Sequence, residues 1–534
     1  MPASSTRWTA LMVAALAARV LLVHFGWHAP LASRIELSSP VDSLARLREG
    51  AALVEMGLSP YEGSMLHVPP LVLLLFTPFL YVADALGASE APYASIVRSA
   101  PFVALDALVA AALFAVAARV AAASNGGDEQ KTKENGSVTS FSDTSGPAFA
   151  ACAYLLNPMS VAACAAGSTS ALGTLCVALA LAAACKEKPE PLVAGVCLAT
   201  LAFVSSDARV PLLLLYPVAS LARDGAAGDA NAVAFRARRK NTRESRVLSR
   251  ETTEAKNRRF RATLGGFFAA CLVLGFVSTR AYADVGVGLE QWTDATYAFT
   301  FLVTDLTPNL GVHWYLFAEL FSHFRGFFLF VFHAFPAFLS VPALACYGHA
   351  RPILAVGVVL ALHTALGPYP TWGNVAGYLA FAPIFTHGEQ DARQNARRGA
   401  RMTRTNDDRK KKTAPRVGFA ASAALAVTAT LTPIFWHLWI EARVANANFL
   451  FAVTLAHFAA QSALIVSWIG AAVERDAASS ASAKEKKEKD DDATIASDAP
   501  PYRDSDRNGS SCVETDAPAS GIARRRRCDE RETS

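Results

Sequence analysis

Charge is scarce in this chain. Only 18% of its 534 residues are charged while 52% are hydrophobic, whereas soluble domains carry about a quarter charged residues. That balance excludes an ordinary water-soluble enzyme. Cysteine offers no framework either. Of the nine, Cys152, Cys164, Cys176, Cys185, Cys197, Cys271 and Cys346 lie in or beside apolar blocks, and Cys512 and Cys528 lie near the C-terminal end. No C-x-x-C pair exists, so the thiols read as small apolar side chains rather than as disulfides or metal ligands. Signatures of catalysis are missing as well. There is no G-x-S-x-G, no G-x-x-x-x-G-K-[ST] and no G-x-G-x-x-G, which leaves no nucleophile elbow and no phosphate-cradling loop. His67, His313, His323, His333, His363, His437 and His457 show no H-E-x-x-H spacing. No metal and no cofactor is expected.

What the chain has instead is long apolar blocks. They run over residues 8–25, 66–86, 95–121, 148–166, 168–185, 190–205, 208–222, 263–282, 326–347, 352–368, 371–386, 417–438 and 449–472. Several reach the roughly 17–25 residues that a bilayer-spanning helix requires. The first block reads as a retained anchor, because Arg19 interrupts it and no clean cleavage site follows. Arg19 must then snorkel or face a neighbouring helix.

Charge distribution supplies a topology. Residues 223–262 hold twelve Lys/Arg against five Asp/Glu, and residues 387–416 hold ten against four. By the positive-inside rule both linkers are cytosolic, with 122–146 as a third. The net charge of +5 therefore reports sidedness and not nucleic acid. Parity requires one early block not to cross, and 66–86 is chosen because Pro69, Pro70 and Pro78 interrupt it. The expectation is an all-α polytopic protein of about twelve transmembrane helices over residues 1–475. Residues 26–94, 283–325 and 439–448 then lie on the far, luminal side, and 476–534 form a disordered cytosolic tail rich in Lys, Asp and Ser. Asn135-Gly136-Ser137, a glycosylation sequon, falls on the cytosolic side of that scheme.

Two far-side strings stand out. Asp305 to Phe324 mixes Trp, Tyr, Phe and His with Asp305, Asn309 and Glu319, and its Thr307-Pro308-Asn309-Leu310-Gly311 stretch reads as a turn opening an amphipathic helix. The second is Trp436-His437-Leu438-Trp439 followed by Asn446-Ala447-Asn448. Indoles stack on the apolar faces of sugars and an Asn amide offers both an acceptor and two donors to hydroxyls, so this string suits a glycan. Composition alone favours the other reading, an interfacial aromatic belt and a helix cap. The Phe-rich run from Arg325 to Phe332 has the same double reading, as an acyl groove or as lipid-facing packing. Asp84, Asp106, Asp207 and Arg209 lie within or at the ends of apolar blocks, where ionisable groups are costly.

These strings resemble the PIG-U family, the multi-pass subunit of the glycosylphosphatidylinositol (GPI) transamidase. The resemblance rests on the run from Asp305 to Phe324, on Tyr369-Pro370-Thr371-x-Gly373, and on Trp436-His437-Leu438-Trp439-Ile440 through Ala445-Asn446-Ala447-Asn448-Phe449. Ser59-Pro60-Tyr61-x-Gly63 and Tyr154-Leu155-Leu156-Asn157-Pro158 add to it, all in chain order. The resemblance implies a core like that of the GT-C glycosyltransferases with luminal surface helices, residence in the endoplasmic reticulum membrane, and a noncatalytic role in recognising the GPI lipid-glycan or the C-terminal attachment signal of a proprotein. It implies as partners the other transamidase subunits, including the cysteine protease, together with GPI, the proprotein and membrane lipids. Asn446 and Asn448 match the family's Asn-x-Asn associated with the GPI head group. Trp436, His437, Asp305, Asn309 and Tyr369 belong to the matching luminal strings.

Two other functions compete. A GT-C-type mannosyltransferase using dolichol-phosphate-sugar would need Glu36 or Asp42 as base, though these do not form a D-x-D pair. A transporter or flippase would use Asp207 and Arg209.

Overall fold

The computed structural model describes residues 3–85, 92–125, 145–225, 243–386 and 414–497, all helix and connecting loop, with no strand among the described residues. Residues 226–242 of the first basic linker, nearly all of the second, the Asn135 sequon and the chain after residue 497 lie outside the described residues, while 243–262, expected as linker, form the start of a helix that runs from Arg243 to Arg280. The chain divides into two compact units, Met1–Ala477 and Ala478–Ser534. The second contributes only helical residues, up to Ser497.

The first unit opens with α1 (Ala3–His24), the short α2 (His28–Ala32) and α3 (Leu44–Glu55), α4 (Pro70–Ala85) and the long α5 (Pro92–Asn125). Next come α6 (Ser145–Leu155), α7 (Pro158–Ala166), α8 (Ala171–Ala184), α9 (Pro191–Val204) and α10 (Arg209–Asp224). After α11 (Arg243–Arg280) the chain forms the short α12 (Leu289–Thr293), α13 (Phe299–Leu302) and α14 (His313–Glu319). The series closes with α15 (Arg325–Tyr347), α16 (Pro352–Ala365), α17 (Trp372–Leu379), α18 (Ala414–Trp436) and α19 (Ala447–Ser497).

Six stretches are long and apolar enough to cross a membrane: Thr6–His24, Ser99–Ala123, Thr253–Arg280, Ser322–Tyr347, Gly418–Glu441 and Ala447–Ala477. The pair α6 and α7, bent by 49°, adds a seventh if it counts as one span. The bend has a local cause. Pro158 has no amide hydrogen to continue the ladder, and the Asn157 side chain instead caps α7 by accepting from the Met159 amide at 3.0 Å. Shorter apolar helices occur at Pro70–Ala83, Ala171–Ala184, Pro191–Val204 and Pro352–Ala365.

Small residues let these helices approach closely. A Cβ at Gly195 on α9 would lie 2.3 Å from the Thr263 carbonyl of α11, and one at Gly266 would lie 2.8 Å from the Leu192 carbonyl. Two backbones therefore cross in direct contact, as small residues allow in membranes. One apolar core joins α5, α6, α8, α9 and α10, and another joins α15 to α19.

Arg19 faces a neighbour rather than snorkelling. It is 0% exposed and donates from Nε to Asp106 Oδ2 at 2.7 Å, from Nη1 to the carbonyls of Ala15 and Leu155, and from Nη2 to Ser160 Oγ. Tyr154 donates its hydroxyl to the other Asp106 oxygen at 2.7 Å. A buried charge in hydrocarbon requires such complete pairing.

Candidate functional site

The loop after α1 is clamped onto the helix ends by its acidic residues. Asp42 is 5% exposed and both of its oxygens are occupied. Oδ1 accepts from the amide and the hydroxyl of Ser39, both at 2.7 Å, while Oδ2 accepts from Ser168 Oγ at 3.1 Å and Thr371 Oγ1 at 3.0 Å. Burial pushes the Asp42 carboxyl above its usual range despite these four donors. Glu36, also buried, pairs with Arg34 at 3.1 Å, and its backbone carbonyl accepts from the Trp372 amide at 2.8 Å. Arg34 in turn reaches the Pro433 carbonyl on α18. The first loop, the turn after α7, the turn before α17 and the end of α18 are therefore at one end of the bundle.

The segment before and through α14 bridges this end. Asp305 pairs with Arg46 at 3.2 Å, its amide donates to the Tyr369 hydroxyl at 3.2 Å, and its Oδ1 accepts from the Thr307 amide and hydroxyl. Partial burial alone would raise the Asp305 carboxyl, but the Thr307 hydrogen bonds and the Arg46 charge outweigh it and hold the group below its usual range. Tyr369 stacks on Phe299 at 5.2 Å between centroids, and Phe299 stacks on His67. Asn309, 4% exposed, uses its side chain within its own turn: Oδ1 accepts from the Gly311 amide at 2.7 Å and Nδ2 donates to the Thr307 carbonyl at 3.2 Å. The turn expected at Thr307–Gly311 is built this way, and it leads into α14.

The second string packs against the first turn of α14. Trp314 stacks against Trp439 at 6.3 Å, Trp439 meets Trp436 edge-on at 5.9 Å, and Tyr315 stacks on Phe451 at 4.3 Å. His437 is exposed and paired with Glu441 at 2.5 Å, inside a single π-helical turn, His437–Glu441, that ends α18. Asn446 caps α19, its Oδ1 accepting from the Asn448 amide at 3.0 Å, and Asn448 Oδ1 accepts from the Tyr315 hydroxyl. Both asparagines are exposed. Each has its amide oxygen engaged by the protein, while neither Nδ2 makes a hydrogen bond among the described residues.

A match to a family model described as "GPI transamidase subunit PIG-U" covers residues 13–457, from α1 through the rim and well into α19. The chain belongs to the PIG-U family. Among curated relatives, the human "GPI-anchor transamidase component PIGU" is 28% identical over 480 residues, covering 87% of this chain and 93% of the human protein. The Schizosaccharomyces pombe "GPI transamidase component GAB1 homolog" is 25% identical over 426 residues, or 79% of this chain and 82% of that protein. The Saccharomyces cerevisiae "GPI transamidase component GAB1" is 23% identical, covering 83% and 88%.

In this PIG-U chain the seven residues singled out from sequence fall into two groups. Exposed Asn448, Asn446 and His437 with half-buried Trp436 form the rim; Asp305, Asn309 and Tyr369 form the inner brace, and α14 joins the two. A cavity of about 170 Å³ opens beside the brace, and of the seven only Tyr369 lines it. Its other polar walls, among them Asp42, Ser170, Asp207, His363 and Asn374, come from separate turns. Sequence reasoning missed Tyr315, His363 and Asn374. Only Asn374 left a readable trace, as the fourth residue of a Thr-x-x-Asn capping box that opens α17.

Proposed function

We propose that this PIG-U subunit recognises the GPI lipid-glycan at the endoplasmic reticulum membrane and carries none of the transamidation chemistry, which belongs to a cysteine-protease subunit of the same complex. The carrying observation is the rim. Helix capping and the Tyr315 hydroxyl hold the amide oxygens of Asn446 and Asn448, which orients both pairs of free Nδ2 hydrogens toward solvent. Fixed donors of this kind suit phosphate and hydroxyl oxygens of a glycan, and the indoles of Trp436 and Trp439 supply flat apolar faces beside them. Phe327, Phe330 and Phe338 stand exposed along α15 as apolar surface for acyl chains. The contribution to catalysis is orientation, because a held amine attacks an acyl intermediate without the entropy cost of a bimolecular encounter.

The same reading takes the membrane domain as a GT-C-like core of about twelve crossings. The six long helices and the bent α6–α7 pair support seven of these, and the shorter apolar α8, α9 and α16 support the reading as further crossings. A mannosyltransferase would need a free luminal carboxylate. Asp42 has both oxygens bonded, and Glu36 pairs through Oε1 with Arg34 while its Oε2 is buried out of reach of solvent. Transport through Asp207 and Arg209 meets a similar obstacle, since Arg209 holds both Asp207 oxygens at 2.8 and 2.7 Å.

The test uses cells that depend on this chain and a GPI-anchored surface reporter. An Asn446→Asp/Asn448→Asp variant keeps a good helix cap yet loses the amide donors and adds charge that repels phosphate. Reporter display should fall at least several-fold while the variant still co-purifies with the other subunits. Asn446→Ala adds about 0.5–2 kcal/mol of lost capping and is the less clean probe. Normal display by the assembled double Asp variant would remove the rim from the site.

A further inference from the structure

We propose that the cavity between α8, α10, α16 and α17 is a second binding site, one that takes a single uncharged polyhydroxylated six-membered ring such as a monosaccharide or cyclitol. Nothing in the argument depends on Asn446 and Asn448, which do not line the cavity.

The first ground is unsatisfied polarity. His363 is 6% exposed, and its Nδ1 lies 3.3 Å from Asp207 Oδ2 while its Nε2 is buried with no hydrogen-bond partner. In the neutral ring a carboxylate beside Nδ1 favours the proton there, and Nε2 is then an acceptor. Around the same space stand buried Thr174 and half-buried Ser206, Thr364 and Asn374, whose hydroxyls and Nδ2 make no hydrogen bond among the described residues. Buried polar groups are ordinarily paired. Here one amide donor and three hydroxyls, each able to donate and accept, line one opening, with the unpaired His363 Nε2 enclosed in its wall.

The second ground is charge. An ammonium ligand would seek a carboxylate, but Asp42 already receives four hydrogen bonds and Asp207 is held by Arg209 and His363. A phosphate would seek a cation, yet the Arg209 guanidinium is committed to Asp207 and His333. The groups that remain are neutral, and they select a neutral ligand with many hydroxyls.

Shape is the third ground. Val177, Leu201, Val204, Val210 and Leu360 are interleaved with the polar groups, Val177 one turn from Thr174 and Leu360 one turn from Thr364, a mixed lining that suits a ring with C–H faces and a polar circumference. About 170 Å³ is below the roughly 300–1,000 Å³ of sites for drug-sized ligands. One ring fits that space and a complete glycan does not. The polar wall is drawn inward by glycine: a Cβ at Gly377 would sit 2.5 Å from Thr174 Oγ1, and one at Gly373 would sit 1.9 Å from Ser170 Oγ.

The ring has two conceivable sources, a lipid-linked head group and a free sugar. The intact complex carrying the full chain is purified into glycoside-free nanodiscs and exposed to decyl mannoside bearing a ring diazirine, and adducts are mapped by peptide mass spectrometry. Adducts are expected on 169–177, 205–210 and 360–378. Ser206→Phe, a filling change on a turn outside the helices, should lower them at least tenfold, with Ser206→Ala retaining them. His363→Leu should lower them several-fold and His363→Gln less. Asn446→Asp/Asn448→Asp should leave them intact, which separates this site from the rim. Competition by methyl mannoside as strong as by decyl mannoside assigns a free sugar, and competition by decyl mannoside alone assigns a lipid head group. No adducts on these segments, adducts unchanged by Ser206→Phe in an assembled complex, or equal labelling by a decyl phosphocholine diazirine would overturn the proposal.

Discussion

Single residues at the rim and brace do several jobs at once. Asn446 is both the cap of α19 and a presented amide, so its oxygen serves the fold and its nitrogen is left for a ligand. His313 shows the opposite economy. It is fully buried on α14 with its ring stacked near Phe317 and Phe332, and burial, helped by the neighbouring His333 and Arg209, pulls its pKa down to about 3. An unfolded histidine titrates near 6.5. The unfolded chain therefore binds more protons between pH 6.5 and 3, so the stability of this region is complete above pH 6.5 and declines as pH falls toward 3. The slope is at most about 1.4 kcal/mol per pH unit for one such group. His313→Phe keeps the aromatic packing and removes the titration. Its thermal midpoint should fall less steeply than that of the native chain between pH 6.5 and 4.5; parallel slopes would show that His313 does not control this acid limb.

Between elements, the buried ion pair of Arg19 and Asp106 ties α1 to α5 and, through Tyr154 and Ser160, to α6 and α7. Four helices meet on one charge pair. Removing one partner strands the other in an apolar interior, a loss of about 3–5 kcal/mol in comparable cases, whereas replacing both with apolar residues is often neutral. Arg19→Leu alone should therefore reduce recovery of the assembled complex and its thermal midpoint, and Arg19→Leu/Asp106→Leu should restore most of both. Equal behaviour of the single and double variants would mean that the pair is not what holds α1. Close contacts between α9 and α11 are a different device: with Gly195 and Gly266 at the crossing, any side chain there would collide with opposing backbone. Gly195→Leu is the severe substitution at this interface.

For the whole molecule, the testable quantity is sidedness. The first loop, the turns after α7 and before α17, and the α14 bridge meet at one end through Asp42, Glu36 and Asp305. If that end is luminal, Glu62→Asn, which completes an acceptor sequon with Gly63 and Ser64 on exposed loop, should be glycosylated, while the native sequon at Asn135 should not. A glycosidase-sensitive mobility shift reads both. A glycan on Asn135 would invert or rearrange the topology.

Sequence alone determined the class of molecule, some of the local chemistry of its turns, and the strings that mark the family. Scarce charge and thirteen apolar blocks required a polytopic helical protein. Asn309 acts within two residues of itself, so its turn was readable from spacing. Tertiary structure alone decided the partners. Asp42 meets Thr371 across 329 positions, Arg19 meets Asp106 across 87, and the cavity gathers turns from four separate parts of the chain. The reason is physical. Helices that are apolar all round carry no stripe to show which face turns inward, so no periodicity in the sequence foretells which polar side chains will face one another once the helices pack.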